Sequence, residues 1–451
     1  MAASAASDQD ALQLLTDLIS TAKRGGADGA DAVMFRSASL SLSRRLGKPE
    51  GIERSESDDL GLRVFLGKRQ AVVSSTDLSN DALAEIAERA VAMAKAAPED
   101  AYCGLAEPEL LAADPPDLDI CDQREPEPDE LAERAAKAED AARAVKGVTN
   151  SEGAEASWGS SRICLAASNG FAETYASSRH SLVVAVVAGE GTNMERDYEF
   201  SSTVYADDLK GAEVIGREAG ERAVARLNAR KVETASVPVI YEPRVSSSLL
   251  RHLAAAINGI SVARGTSFLK DKMGKAVFAD AITIVDDPHR ARGLGSKPFD
   301  GEGLANERRK VIDAGVLSTW LLDLGSARQL GLSSTGHAAR GSSAPPSPAA
   351  TNLYLEAGTL GPAELMSDIG AGLYVTELIG MGVNTLTGDY SRGAAGFWIE
   401  NGEIAYPVSE VTIAGNLNDM FANLTAADDL EFRYAINAPT LRIDGMTVAG
   451  K

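Results

Sequence analysis

Residues 388–413 read GDYSRGAAGFWIENGEIAYPVSEVTI. Two apolar-rich runs, 397–399 and 404–408, flank the pair Asn401-Gly402. Asn-Gly between such runs marks a hairpin, because a type I′ turn needs φ > 0 at both central residues. Ahead of the hairpin the composition predicts a Gly-rich loop. Gly388, Asp389, Tyr390, Ser391 and Arg392 precede four small residues, Gly393 to Gly396. Polar side chains beside backbone stripped of bulk suit a place where another chain lies close. A tight structural turn accounts for the same residues, and composition alone does not separate the two.

Outward from this stretch, KVIDAGVLSTWLL (310–322) repeats the pattern around Ala314-Gly315. Two such hairpins predict a β-rich C-terminal domain over 233–451, closed or nearly closed into a barrel. It opens with a strand, VPVIY (237–241), and a helix over 245–258; residues 341–352 read as a loop. Before it, 129–232 reads as an α+β unit. A helix over 129–147 ends at Gly147, strands follow at 151–158, 161–168, 171–177, 181–189 and 198–205, and a helix over 207–229 is capped near Asp207 or Asp208. Residues 1–97 follow the same plan, with a helix over 10–23, strands at 30–44, 51–57, 60–66 and 69–75, and a helix starting at Ser79 or Asn80. Between the units, 98–128 holds six of the 17 prolines and many acids. It reads as a connector that Tyr102, Leu110 and Leu111 could anchor. The predicted class is α+β: two N-terminal helix-and-antiparallel-sheet units, then the barrel-like domain.

The chain has 451 residues and a formal net charge of −21, which repels phosphate backbones and disfavours a nucleic-acid partner. Three widely spaced cysteines, Cys103, Cys121 and Cys164, form no CxxC and argue against a disulfide framework. With no basic n-region or long apolar core at the start, the reading is cytoplasmic. No apolar run approaches the roughly 20 residues of a membrane helix.

The segment 388–413, together with GLGSKPFDGEG (293–303), ERR (307–309), STGHA (334–338) and VSEVTIAGNLNDM (408–420), resembles the TldD/PmbA family, in its PmbA or TldE branch. The resemblance implies proteins tied to metallopeptidase activity. It implies a TldD-like subunit that carries a zinc site built on HExxxH and a late Cys, with TldE as its partner. The implied substrates are unfolded or modified peptides.

The residues agree with the zinc-free branch. HExxxH places two His on one helical face with a Glu to activate water. Here 244–267 reads RVSSSLLRHLAAAINGISVARGTS, whose one His is His252, and no Cys follows Cys164. No catalytic or metal-ligating residue is therefore assigned, and zinc is expected on the TldD-like partner alone. Asp286, Asp287 and His289 read as a turn before Pro288. His337 lacks a GxSxG elbow, so a serine mechanism has little support. ERR and Arg392 suit salt bridges or a bound carboxylate.

The function so read is that of a zinc-free subunit of a TldD/TldE-type metallopeptidase complex. Gly388, Asp389, Tyr390, Ser391, Arg392, Gly393 and Gly396 would present a strand edge or wall to an extended peptide. Pairing with the TldD-like chain, or with itself in its absence, is expected. The alternatives are a homo-oligomeric peptide-binding or scaffold protein, and a peptidase with its own nucleophile. Elemental analysis of the purified chain is expected to find no stoichiometric zinc and no chelator-sensitive peptidase activity; one zinc per chain would overturn this.

Overall fold

The computed structural model describes residues 8–451. Strands β1 (Gly29–Arg45), β2 (Lys48–Leu66), β3 (Arg69–Ser75), β4 (Val148–Ala167), β5 (Ala172–Ala188) and β6 (Glu195–Thr203) make one antiparallel sheet in the order β3-β2-β1-β4-β5-β6. Helices α1 (Asp8–Arg24) and α2 (Asn80–Ala96) cover one half, burying Leu15, Leu18 and Val91 against Leu60, Leu62 and Val64. Helices α3 (Pro128–Arg143) and α4 (Ala212–Ala225) cover the other, with Leu131, Ala135 and Ile215 against Leu182, Val184 and Val186. The small residues of these helices have a purpose. A Cβ on Gly216 would stand 2.1 Å from the carbonyl oxygen of Ala138, so α3 and α4 touch backbone to backbone. The two N-terminal units thus keep separate cores while sharing one sheet.

The strands are longer than the sequence reading has them. Residues 51–57 and 60–66 are one strand, as are 151–158 with 161–168, and 171–177 with 181–189. Polar pairs such as Asp58-Asp59 and Gly159-Ser160 lie within the strands. Serines nearby pair across the sheet, with Ser37 Oγ 3.1 Å from Ser161 Oγ and Ser181 Oγ 2.8 Å from Ser202 Oγ. Helix α3 stops at Arg143, capped by Ala144, so Gly147 is not its terminator. Helix α4 starts after Gly211, and neither Asp207 nor Asp208 caps it; Asp208 instead meets Arg292 at 3.0 Å. The connector packs closely. Ala112 N donates to Gly303 O and Ser178 N to Ile120 O, both at 3.0 Å. Its buried anchors are Cys103, Ala106, Leu118 and Ile120, whereas Tyr102 and Leu110 are exposed and Leu111 is half-buried.

The C-terminal part is a closed barrel. Strands β7 (Ala235–Tyr241), β8 (Ala371–Ile379), β9 (Asp389–Glu400), β10 (Glu403–Asn416) and β11 (Leu441–Ala449) run in the order β10-β9-β8-β7-β11, and β10 pairs with β11 to close the ring. Helix α5 (Pro243–Ala256) lies against it through Leu249, Leu250 and Leu253. The turn between β9 and β10 has φ of 52° at Asn401 and 83° at Gly402, as a type I′ turn requires, and Ala314-Gly315 matches with 46° and 79°. The stretch 389–396, expected as a loop, is strand. Its glycines serve close packing: a Cβ on Gly396 would lie 1.9 Å from Tyr374 O. Register shifts at Ala394/Gly396 and Trp398/Ile399 add the curvature a small barrel needs.

A buried ionic knot fastens the large sheet to the C-terminal part. Arg63 of β2 donates to Asp31 of β1 through Nε at 2.9 Å and Nη2 at 2.5 Å. Asp31 also meets Arg340 at 2.5 Å, and Arg63 meets Glu302 at 3.5 Å. Beside it, Gly61 lies under Ser342, whose carbonyl oxygen would be 2.1 Å from an added Cβ.

Gly396→Val is expected to destabilise the protein by about 3 kcal/mol or more, because it drives methyl groups into the β8 backbone. Gly341→Ala, with nothing within 4 Å of its added Cβ, serves as the control and should unfold near wild type in urea. Equal midpoints for the two variants would refute the account.

Candidate functional site

Alternation along β9 divides the residues singled out in the sequence. Tyr390 is buried and Arg392 half-buried, whereas Asp389 and Ser391 point the other way and are exposed. The Asp389 carboxylate accepts from Thr387 Oγ1 at 2.6 Å and Asn416 Nδ2 at 3.1 Å, and these bonds hold it below the usual carboxylate range. It staples the entry to β9. Gly388 sits at φ 84°, with Asn416 Oδ1 2.9 Å from where a Cβ would be, and a Cβ on Gly393 would press on Ile379 at 3.2 Å. Gly388, Gly393 and Gly396 are therefore demanded by packing.

The main chain here is fully engaged. β8 pairs with β9 from Gly393 to Glu400, β10 pairs along its other side, and Gly382 to Asn384 bond Asp389 and Ser391. An extended peptide has no free strand edge at this segment, so the expected edge is absent. What remains is a wall of side chains, Arg392 with its neighbours on α5, backed by the buried Tyr390.

On α5, Arg244, Ser248 and Arg251 recur at i, i+4 and i+7 and so share one side of the helix. With Arg392 and Thr376 they line a cavity of about 260 Å³, closed on the far side by Arg196, Asp197 and Arg226. Most of these charges are matched. Arg244 holds Asp197 at 2.8 Å and Glu242 at 2.7 Å. Arg226 holds Glu377 at 2.5 Å, and Arg196 holds Glu152 at 2.6 Å. Deeper in, the His252 ring meets Tyr390 edge to face, 6.0 Å between centroids, and the Tyr390 hydroxyl lies 3.5 Å from that of Tyr241. Burial, and then the guanidiniums of Arg392 and Arg251, push the His252 pKa down to about 4. The ring is neutral at pH 7. The sequence reading missed these α5 residues, although their helical spacing is legible in RVSSSLLRHL.

The other side chains weighed in the sequence are structural. His337 is buried, with Nδ1 2.8 Å from Thr335 Oγ1 and Nε2 3.3 Å from Asp286 Oδ1, and Asp286 also accepts from Thr351 N at 2.8 Å. Asp287 accepts from His289 N at 3.0 Å in the turn at Pro288. Arg308 meets Glu356 at 3.4 Å and Arg309 meets Glu307 at 2.8 Å, both as surface pairs.

Zinc does not fit α5. His252 is its one imidazole, and the groups around that ring are guanidiniums, which repel a dication. Among the described residues no group of three His, Cys, Asp or Glu side chains is arranged to hold a metal. No helix among them is long and apolar enough to cross a membrane.

Comparison with known proteins places the chain. Three family models match it in order: PmbA/TldA metallopeptidase domain 1 over residues 30–94, the central domain over 121–227 and the C-terminal domain over 234–450. The chain is 42% identical to Metalloprotease PmbA of Escherichia coli O157:H7, covering 97% of each. It is 38% identical to the Metalloprotease PmbA homolog of Haemophilus influenzae, covering 99% of this chain and 97% of that one. A Metalloprotease TldD homolog of the same Haemophilus strain matches at 27% identity over 58% of each chain. Among solved structures, a Bacteroides thetaiotaomicron protein described as a proposed modulator of DNA gyrase superposes with a TM-score of 0.91 at 27% identity, covering 99% of this chain and all of that one. TldE of Thermococcus kodakarensis superposes with a TM-score of 0.87 at 21% identity, covering 97% and 100%, and shares the fold.

The His252 ring is expected to titrate near pH 4 by NMR, against about 6.5 for a free imidazole. With its folded pKa lowered, the group adds stability that is present above the unfolded pKa and is lost as pH falls from about 6.5 towards 4. His252→Gln should remove that component, narrowing the gap in urea midpoint between pH 7.5 and pH 5. A ring midpoint at or above 6.5 would refute the assignment.

Proposed function

The chain belongs to the PmbA/TldD metallopeptidase family, and from that premise we propose that it is the zinc-free, TldE/PmbA-like subunit of a TldD/TldE-type complex. That complex acts in the cytoplasm on unfolded or modified peptides. Zinc, on the TldD-like partner, supplies the activation of water and the polarisation of the scissile carbonyl. This chain contributes part of the wall against which the peptide lies.

The observation that carries the reading is the make-up of α5, where the one imidazole is neutral and stands near the guanidiniums of Arg392 and Arg251. Such a surface suits an anion or a carbonyl oxygen and opposes a catalytic dication. The presence of both a PmbA homolog and a TldD homolog in one Haemophilus strain supports the pairing. An apolar patch beside the site gives a partner something to cover: Ile379, Leu386 and Met381, the last 87% exposed, lie on the segment from the end of β8 towards β9. With both edges of β9 taken, the segment acts through Arg392, which the buried Tyr390 backs, and not through backbone pairing.

The test is co-expression with a TldD-like chain, followed by mass, metal content of each subunit and peptide turnover. Met381→Asp is expected to weaken pairing by about tenfold, by setting a charge in the covered patch. Arg392→Ala should assemble normally but lose up to about 100-fold in turnover, the scale of loss for misplaced substrate. Asp389→Ala, which removes the staple to Asn416, should leave turnover per assembled complex near wild type. A homodimer that ignores the TldD-like chain would return the scaffold reading, and wild-type turnover in Arg392→Ala would remove this wall from the site.

A further inference from the structure

The cavity between α5 and β9 carries charge that the fold does not use. Five arginines line it against two carboxylates, Asp197 and Glu377, in a chain whose formal net charge is −21. Arg196, Arg226 and Arg244 are held by Glu152, Glu377, Asp197 and Glu242. Arg251 and Arg392 have no carboxylate within ion-pairing distance among the described residues, although surface acids are plentiful. Arg251 lies 5.7 Å from the centre of the Tyr434 ring; Arg392 bonds the Tyr390 side chain, but its Nε is buried with no acceptor. Thr376 Oγ1, which lines the same cavity, is also buried and unpartnered, as is His252 Nε2 deeper in. Leaving such groups unsatisfied is costly unless something else completes them.

We propose that this cavity binds a carboxylate, the free C-terminus of a peptide, between the guanidiniums of Arg251 and Arg392. Guanidinium meets carboxylate with two parallel N–H donors; Arg392 is half-buried, which strengthens its bond over the value in water, while the exposed Arg251 leaves the mouth of the site open to an incoming chain. Thr376 Oγ1, on the wall of the same cavity, is a further free donor. The volume, about 260 Å³, accommodates a terminal residue and its carboxylate, not a folded segment. That the anion is a peptide terminus rests on the peptide-handling reading above; the anion site itself rests on the unmatched arginines. The consequence is a polarity for the bound peptide. Its C-terminal end is held on this chain, so the distance from that end to the bond cleaved on the partner is set by the assembly.

The test uses the purified full-length chain and an alanine-rich hexapeptide, fluorescently labelled at its N-terminus, as the free acid and as the C-terminal amide. Anisotropy at low salt is expected to show the acid binding at least tenfold more tightly. Arg251→Gln and Arg392→Gln should each abolish that preference, and Arg54→Gln on the distant β2 ribbon should keep it. Equal binding of acid and amide by the wild type, or binding of neither, overturns the proposal even if a variant fails to fold. Displacement of the acid by inorganic phosphate, at concentrations where acetate has no effect, would assign the site to a phosphate-type anion and overturn the peptide terminus. The outcome is separable from the subunit reading. Turnover by the assembled pair without acid preference sinks only the carboxylate site; acid preference in a chain that ignores a TldD-like partner sinks only the pairing.

Discussion

A sheet of five strands closes into a ring only when its backbones come unusually near and its strands coil hard. Everything around the candidate site depends on that closure. Gly396 against Tyr374 and Gly382 against Ser391 each leave no room for a Cβ, which would stand 1.9 Å from a carbonyl oxygen in both cases. The bulges of β9 turn the strand where a regular pleat would run straight. Because the ring is complete, β9 has no open edge, and over its first four residues the side chains alternate between an inward face with Tyr390 and Arg392 and an exposed face with Asp389 and Ser391. The chemistry of the segment follows from which face each residue drew.

The large sheet contributes to the same site from a distance. Its edge strand β6 supplies Arg196 and Asp197, and the end of α4 supplies Arg226, so that the cavity is walled by both the sheet and the barrel. Two features keep these bodies in register. The knot of Asp31, Arg63, Arg340 and Glu302 is buried, where losing one partner strands a charge at a cost of about 3–5 kcal/mol. The packing of Gly61 under Ser342 admits no side chain. An ionic cluster of this kind adds specificity of placement more than net stability, because desolvation offsets much of the attraction.

Much of the architecture is legible in the residues. Asn401-Gly402 and Ala314-Gly315 declare their hairpins through the need for positive φ, and amphipathic spacing places α1, α2 and α5 within a few residues of their observed bounds. The separate matches from 293 to 420 point to the PmbA/TldD family. Strand length is less legible, because Asp58-Asp59, Gly159-Ser160 and the polar run 178–180 interrupt the apolar pattern, whereas β2, β4 and β5 run straight through them, β4 and β5 with serines paired across the sheet. The Gly-rich stretch before Phe397 reads as a loop for the same reason: a local pattern cannot distinguish glycine needed for a turn from glycine needed for close approach.

The sequence by itself determined the class of fold, the family and the lack of an HExxxH pair, since these depend on local pattern and on which residue types are present. Only the tertiary structure decided which charges stand together. Arg392, Arg251 and Thr376 lie on three elements up to 141 positions apart, and Arg196 comes from a different sheet. Whether an arginine is matched depends on carboxylates brought near by folding, at distances of a few ångströms that no spacing along the chain encodes. Arg308 and Arg392 look alike in the sequence. One finds Glu356 on the surface, and the other stands half-buried beside Tyr390 with no carboxylate in reach and its Nε unsatisfied.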